Sequence, residues 1–233
     1  MMRDRVAAVR ERIARAAGRA GRKAEEIRLV AVSKMFPAAA VREAFTAGLR
    51  DFGENKVQEA DGKFKDLEDL RDAGARFHLV GHLQSNKARK AVALFDRIHS
   101  LDSVELALKL EQQAVAQGKI VHVLVQVDLG KEETKSGLEE LQLLSTLEQL
   151  RGLKAVRVDG LMTLPPFSQD PEQARPFFRR LREHRDKAQQ AGLILAGELS
   201  MGMSHDLEVA IEEGASLVRV GTAIFGPRTR PSG

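Results

Sequence analysis

A (β/α)8 barrel of the TIM type, opened by a separate N-terminal helix, is the α/β fold this sequence predicts. Three observations carry the prediction. From residue 28 onward, short apolar runs alternate strictly with stretches of helical periodicity, a pattern that gives parallel strands joined by right-handed crossovers. Eight strand candidates can be counted, the number that closes a barrel of this type. The 233 residues suit one such barrel. An open doubly wound sheet is the second choice. Residues 1–233 read as one domain, with 1–27 the leading basic amphipathic helix and 28–228 the barrel, and no low-complexity linker divides them.

In the leading segment Val6, Val9, Ile13 and Ala16/Ala17 recur at helical spacing, so one face is apolar. Arg3, Arg5, Arg10, Arg12, Arg15, Arg19, Arg22, Lys23 and Arg28 outnumber Asp4, Glu11, Glu25 and Glu26 there and supply much of the net charge of +4. Nucleic-acid binding is one reading of these cations. A helix that packs its apolar face on the barrel and solvates its arginines is the preferred one, because no aromatics are interleaved for base stacking.

Strands are then expected at 28–33 (RLVAVS), 51–53 (DFG), 76–80 (RFHLV), 97–100 (RIHS), 120–128 (IVHVLVQVD), 156–161 (VRVDGL), 195–200 (LAGELS) and 216–220 (SLVRV). The helical patterns between them cover 38–47, 56–70, 87–94, 104–117, 138–150, 173–191 and 205–212, with a brief turn after the last strand. Pro165, Pro166 and Pro171 mark a long loop after the sixth strand, a candidate rim for a site.

Composition narrows the chemistry. The chain has no Cys, which removes disulfides, thiol chemistry and the commonest zinc ligand, and points to a cytoplasmic home. It has no Tyr and no Trp, so no tyrosine can act as acid or base and only Phe and His can stack on a ring. No apolar run approaches membrane-spanning length and no signal-peptide core is present, so no membrane role is expected.

The seventh and eighth strands each hand over to a helix through a turn that carries a glycine and a hydroxyl: Ser200 to Ser204 (SMGMS), then Gly221-Thr222. Backbone N–H groups at such a point lack intrahelical partners, and the helix dipole favours an anion. Barrels of this type often hold phosphate in the loops after strands seven and eight. Side by side, the two turns read as a phosphate cup. Lys34 ends the first strand on the face of Val30 and Val32. Its amine either is solvated or, desolvated at the barrel mouth, can attack an aldehyde. Arg219, between Val218 and Val220, needs either a salt bridge, for instance to Glu198 or Asp128, or a ligand. Asn55 either caps the next helix or offers its amide to a ligand. His78 and His82 have no helical reason to converge and no third ligand, so no metal site is expected. His99, His122 and His205 receive no assignment. Lys135, in the polar loop 131–137, reads as a solvated lysine, with a second reactive amine as the alternative.

LVAVSK at 29–34, FGEN at 52–55, VQE at 57–59, FHLVGHLQSNK at 77–87, KSG at 135–137, GLMTL at 160–164, SMGMSHD at 200–206 and VRVGTAIFG at 218–226 together resemble the pyridoxal 5′-phosphate (PLP) homeostasis protein family. These are PLP-binding barrels related to the N-terminal domain of alanine racemase. The resemblance runs in order from about residue 28 to 228. It implies that PLP is held as a Schiff base on Lys34, with Asn55 beside the cofactor ring. It assigns Ser200, Gly202 and Met203 to one phosphate turn, Gly221 and Thr222 to the other, and Arg219 to the pyridine nitrogen. A guanidinium only donates, so the nitrogen it meets accepts and stays unprotonated, a weaker electron sink than a pyridinium. Phe77 stands where tryptophan is common and His82 where many bacterial members have proline; Met201 and His205 vary the SxGMSxD turn.

The role the resemblance implies is intracellular PLP homeostasis: buffering PLP and delivering it to PLP-accepting apo-enzymes, with indirect effects on amino-acid and keto-acid balance. The chain ends soon after the eighth strand, leaving no room for the β-domain with which alanine racemases build a dimeric site, and it lacks their tyrosine base. A monomeric carrier without robust turnover is therefore expected. The alternative is a PLP-dependent amino-acid racemase of the alanine racemase type, with Lys34 as one base and His82 or His205 as the other.

Overall fold

The computed structural model describes residues 1–130 and 136–227. Lys135, considered above as a second amine, lies outside them. The strands are β1 (Arg28–Val32), β2 (Asp51–Glu54), β3 (Arg76–Leu79), β4 (Arg97–Leu101), β5 (Val121–Asp128), β6 (Leu138–Glu139), β7 (Val156–Met162), β8 (Glu198–Ser200) and β9 (Leu217–Val220). All but β6 form a closed parallel ring. β1 to β5 pair in chain order, β5 pairs onward with β7, and β9 returns to β1 with Leu29 opposite Val218. The expected eight-stranded barrel is the one found.

Period-two alternation builds its two apolar layers. Val30, Val80, Leu124, Met162 and Leu217 meet in the lumen. Phe52, Phe77, Val123, Leu161, Leu199 and Val218 point outward and are buried beneath the helices. Strands covered on both faces explain the near-continuous apolar runs in the sequence.

The helix α1 (Met2–Arg19) buries Val6, Val9, Ile13, Ala16 and Ala17, as its spacing requires. Several of its arginines have partners within the fold. Arg12 reaches Glu208 at 2.6 Å and Arg19 reaches Glu212 at 2.8 Å, both on the helix Leu207–Glu212, and Arg10 donates to the Gly48 carbonyl. The helix Val104–Gln117 has the expected bounds. The Ser103 hydroxyl caps its start, and Gly118 ends it in the left-handed conformation at φ 62°.

Two expected helices are subdivided. Residues 56–70 form Val57–Lys63, a 3-10 turn Phe64–Leu67 and Glu68–Asp72. Phe64, Leu67 and Leu70 are all buried at a strict three-residue spacing, which suits 3-10 winding. Residues 138–150 begin not as helix but as β6, then a 3-10 turn, then Leu143–Leu150. β5 outruns its barrel neighbours, whose pairings stop at Gln126, and β6 pairs with Val127 and Asp128 at its exposed end.

The lumen floor, at the N-terminal strand ends, is charged. Arg97 pairs with Glu198 and Asp159, Asp159 also holds His122, and Asp51 pairs with Arg76 at 2.9 Å and faces Arg28 at 3.9 Å. A bulge in β7 makes this possible. Val123 pairs with Val158 but Leu124 with Gly160, so Asp159 is the extra residue, and its carboxylate turns into the floor.

Candidate functional site

At the opposite end, where the strands finish, lies a cavity of about 460 Å3. This is the position at which barrels of this type place their sites, and the size suits a small-molecule ligand. Six of the eight residues singled out from the sequence line it: Lys34, Asn55, Met203, Arg219, Gly221 and Thr222. Val32, Phe36, Val80, Leu164, Pro165 and Phe167 supply apolar walls, and Ser204 and His205 complete the polar set. Pro165 and Phe167 come from the proline-marked loop expected to form a rim.

Lys34 stands just beyond β1, and the backbone around it is tied down. Met35 is the one non-glycine among the described residues with a positive φ, 65°. That conformation costs about 1–2 kcal/mol. The Glu59 carboxylate accepts the Met35 N–H at 2.5 Å and also binds Lys63 at 3.0 Å. The Lys63 ammonium in turn donates to the Ser33 carbonyl at 2.9 Å and to Glu54 at 2.7 Å. Glu54 is fully buried and also accepts from the Ser33 hydroxyl at 2.6 Å. Burial pushes its carboxyl above the ordinary range even with Lys63 and Ser33 attached. Residues on both sides of Lys34 are thus held from the helix Val57–Lys63 and from β2, which fixes where its side chain leaves the wall. Asn55 follows β2 directly, and Gly81 packs against it so closely that a Cβ at 81 would lie 2.3 Å from the Asn55 carbonyl oxygen.

Arg219 points into the lumen and is 4% exposed. Neither ion pair considered from the sequence forms. Glu198 is engaged at the floor by Arg97 and Arg28, and among the described residues no carboxylate lies within ion-pair distance of Arg219. Its guanidinium donates instead to the Ser200 hydroxyl at 2.5 Å and the Thr163 carbonyl at 3.0 Å. Burial lowers its pKa to about 10, which leaves it protonated at neutral pH.

Two expected residues sit apart from the cavity wall. The Ser200 hydroxyl is fully buried between Arg219 and His99 and faces the lumen. Alternation along β8 explains this, since Ser200 shares the face of Glu198. Gly202 is buried at φ 89°, and a Cβ there would lie 2.5 Å from that of Ala210. It shapes the turn without lining the cavity. The turn is closed by Asp206, which accepts the Met203 N–H at 2.6 Å, and joined to β9 by the Gly202 carbonyl, which accepts from the Arg219 amide at 2.9 Å. The hydroxyl that this turn offers to the cavity is that of Ser204, which the sequence reading included in the turn but the family resemblance left unassigned; period two along β8 was the signal that separates it from Ser200. The histidines also separate. His78 is buried in the lumen with Asp51 and His99, whereas His82 is half exposed and 3.3 Å from Asp102.

The lining has a clear chemical character. Its charged groups are the cations Lys34 and Arg219, its neutral donors are Asn55, Ser204 and Thr222, and no described lining residue is a carboxylate. Gly221 brings the chain close to β1, where a Cβ would meet the Val32 carbonyl oxygen at 3.3 Å. An anion with a flat apolar body matches this set, with the apolar walls taking the body.

The profile of the alanine racemase N-terminal domain matches residues 5–229. The chain is 44% identical over 225 residues to the pyridoxal phosphate homeostasis protein of Aquifex aeolicus, with 97% of each chain covered. It is also similar to PipY of Synechococcus elongatus PCC7942, whose structure is known in two states. The form without PLP has a TM-score of 0.88 at 41% identity, covering 97% of this chain and all of that one. The form with PLP bound has a TM-score of 0.85 at 40% identity, with the same coverage. The alanine racemase of Streptomyces coelicolor A3(2) shares the fold, with a TM-score of 0.72 at 22% identity over 95% of this chain and 58% of that one.

Proposed function

The chain belongs to the pyridoxal phosphate homeostasis protein family, and from that premise we propose that it holds PLP in the barrel-mouth cavity and acts in PLP homeostasis. One observation carries the reading: the charged groups lining the cavity are two cations, set with hydroxyl donors among apolar walls. Such a lining fits a phosphorylated, aldehyde-bearing ring. Lys34 carries the covalent bond to the aldehyde carbon. Arg219 donates to the ring nitrogen and Asn55 lies beside the ring. Thr222 and Ser204 hold the phosphate, with the chain at Gly221 and Met203 around it. Ser200 and Gly202 contribute from behind, one by holding Arg219 and the other by allowing the tight turn. Bound PLP supplies an electrophilic carbon and an electron-withdrawing ring; the donor-only guanidinium keeps that ring nitrogen unprotonated and so weakens the withdrawal.

A carrier fits these residues better than a racemase. Inversion at a carbon needs a second base facing Lys34. His82 is outside the lining and held near Asp102; His205 lines the cavity, but its Nε2 donates to the Gln169 carbonyl at 2.9 Å, which leaves Nδ1 as its one basic atom. Interconversion of D- and L-alanine is therefore expected to stay far below the usual enzymatic range of roughly 1–1000 per second, and a rate within it would overturn the carrier reading. Release to PLP-accepting apo-enzymes, from a monomer in the cytoplasm, completes the proposal.

Phosphate recognition gives a direct test. Ser204→Ala and Thr222→Val each remove one hydrogen bond to a charged group, a loss of about 1.5–3 kcal/mol. PLP titration followed by absorbance is expected to show affinity weakened about tenfold or more in each variant. Unchanged affinity in both would place the phosphate elsewhere.

A further inference from the structure

Beneath the cavity an unbroken line of polar side chains descends through the lumen. Arg219 Nη1 donates to Ser200 Oγ at 2.5 Å. Ser200 Oγ lies 2.8 Å from His99 Nδ1, His99 Nε2 lies 2.9 Å from His78 Nδ1, and His78 Nε2 lies 3.0 Å from Asp51 Oδ1. Five strands contribute one residue each, and all five residues are buried.

The carboxylate end dictates the protons of neutral rings. A carboxylate can only accept, so His78 carries its hydrogen on Nε2 and gives it to Asp51. His78 Nδ1 is then an acceptor, so His99 carries its hydrogen on Nε2 and gives it to His78. His99 Nδ1 accepts in turn, so the Ser200 hydroxyl donates to it while accepting from Arg219, which can only donate. With either ring in the other tautomer, two donors or two acceptors would meet. The surroundings agree. Burial lowers the pKa of both rings; at His78 the hydrogen bond and charge of Asp51 work against it without reversing it, Arg97 and Arg28 add to it at both, and His78 and Arg219 add further at His99, so both are neutral at neutral pH. Burial alone would raise Asp51, but the hydrogen bond from His78 and the charges of Arg76 and Arg28 bring it below its ordinary range, so it stays a carboxylate.

We propose that Asp51, His78, His99 and Ser200 form a one-way hydrogen-bond relay that positions Arg219, anchoring the guanidinium to the barrel floor through four successive hydrogen bonds. The relay conducts no proton, because Arg219 has none to give up at neutral pH. Its work is static: each bond polarises the next, and the guanidinium donates to the neutral acceptors Ser200 and Thr163, while the Asp206 carboxylate acts on it by charge from beyond hydrogen-bond distance. These four are positioning residues. Their effect on PLP rests on the functional reading above; their proton arrangement does not.

The tautomers are tested first, by nitrogen NMR of 15N-histidine-labelled protein without PLP. His78 and His99 are expected to be neutral with the hydrogen on Nε2 from about pH 7 to 8, the upper part of the interval in which exposed histidines titrate. A ring with its hydrogen on Nδ1, or an imidazolium within that interval, overturns the relay whether or not PLP binds. The positioning role is tested by Asp51→Asn, which keeps an acceptor for His78 but removes the charge, and by His99→Leu, which cuts the line. Each is expected to release PLP roughly three- to thirtyfold faster and to shift the visible band of the loaded protein. Either variant suffices if the other fails to fold. Unchanged release and spectrum in a folded variant overturn the positioning role while PLP binding stands. A wild-type protein that takes up no PLP overturns the functional reading and the positioning role with it, and leaves the tautomer result untouched.

Discussion

Lys34→Ala protein, incubated with PLP, reduced with borohydride and denatured, is expected to carry no pyridoxyl label, whereas wild-type protein carries a stoichiometric one. The effect is all-or-none because only an amine can retain the group through denaturation. The fold should survive. Lys34 lies past the end of β1, on the wall of a cavity, and the backbone on either side of it is held by Glu59, Lys63 and Glu54, none of which needs the Lys34 side chain to do so. Circular dichroism and the melting temperature are therefore expected to stay close to wild type. Lys63 is poorly suited to take over, since its side chain is 7% exposed and its ammonium is bound to two carboxylates and a carbonyl. A label that persists on Lys34→Ala would sink the assignment and bring Lys135 forward.

Gly160→Ala is the substitution expected to damage the barrel most. Gly160 pairs with Glu198 just after the bulge, and a Cβ there would lie 1.9 Å from the Glu198 carbonyl oxygen and 2.6 Å from its carbonyl carbon. Both obstacles are backbone, so no rotamer change relieves them; β7 and β8 have to part. Parting them also shifts Asp159 and Glu198, the two carboxylates that hold Arg97, and leaves a partly buried guanidinium short of partners. We expect a loss of about 3 kcal/mol or more, a fall in melting temperature of roughly 6–12 °C for a chain of this length. Melting within about 2 °C of wild type would mean that the strands tolerate the spacing.

The barrel was legible because strand runs buried on both faces and helices with one apolar stripe leave different periods in the sequence. Val6, Val9, Ile13, Ala16 and Ala17 announced the buried face of α1, and the helix read at 104–117 has those bounds, with Ser103 and Gly118 capping it in the structure. What stayed hidden depends on pairing across the ring. Nothing local tells that β5 outruns its neighbours and recruits Leu138 and Glu139 as a strand. Most of the cavity was legible too, since Lys34, Asn55, Arg219, Gly221 and Thr222 sit at strand ends that a barrel must gather. Ser200 and Ser204 were harder to separate, for both flank the same glycine and only the facing of β8 decides between them. His78 and His99 have no sequence signature at all. They are single residues on neighbouring strands, and their partnership exists only once β3 and β4 pair.

The floor pairs described above also bear on how the chain reaches this structure in time. Arg97 and Glu198 stand 101 residues apart, and the ring closes only when the first strand meets the last. Contacts of such long range form late, because the entropy of looping the chain is lost before the contact returns anything. Arg219 lies on β9 and Lys34 just past the end of β1, the two strands that make this final closure, so the cavity is among the last features assembled. A ligand that bridges them binds only the finished ring, and should slow its opening more than it speeds its formation. Refolding with and without PLP, followed from both directions, would then show the cofactor acting mainly as a brake on unfolding.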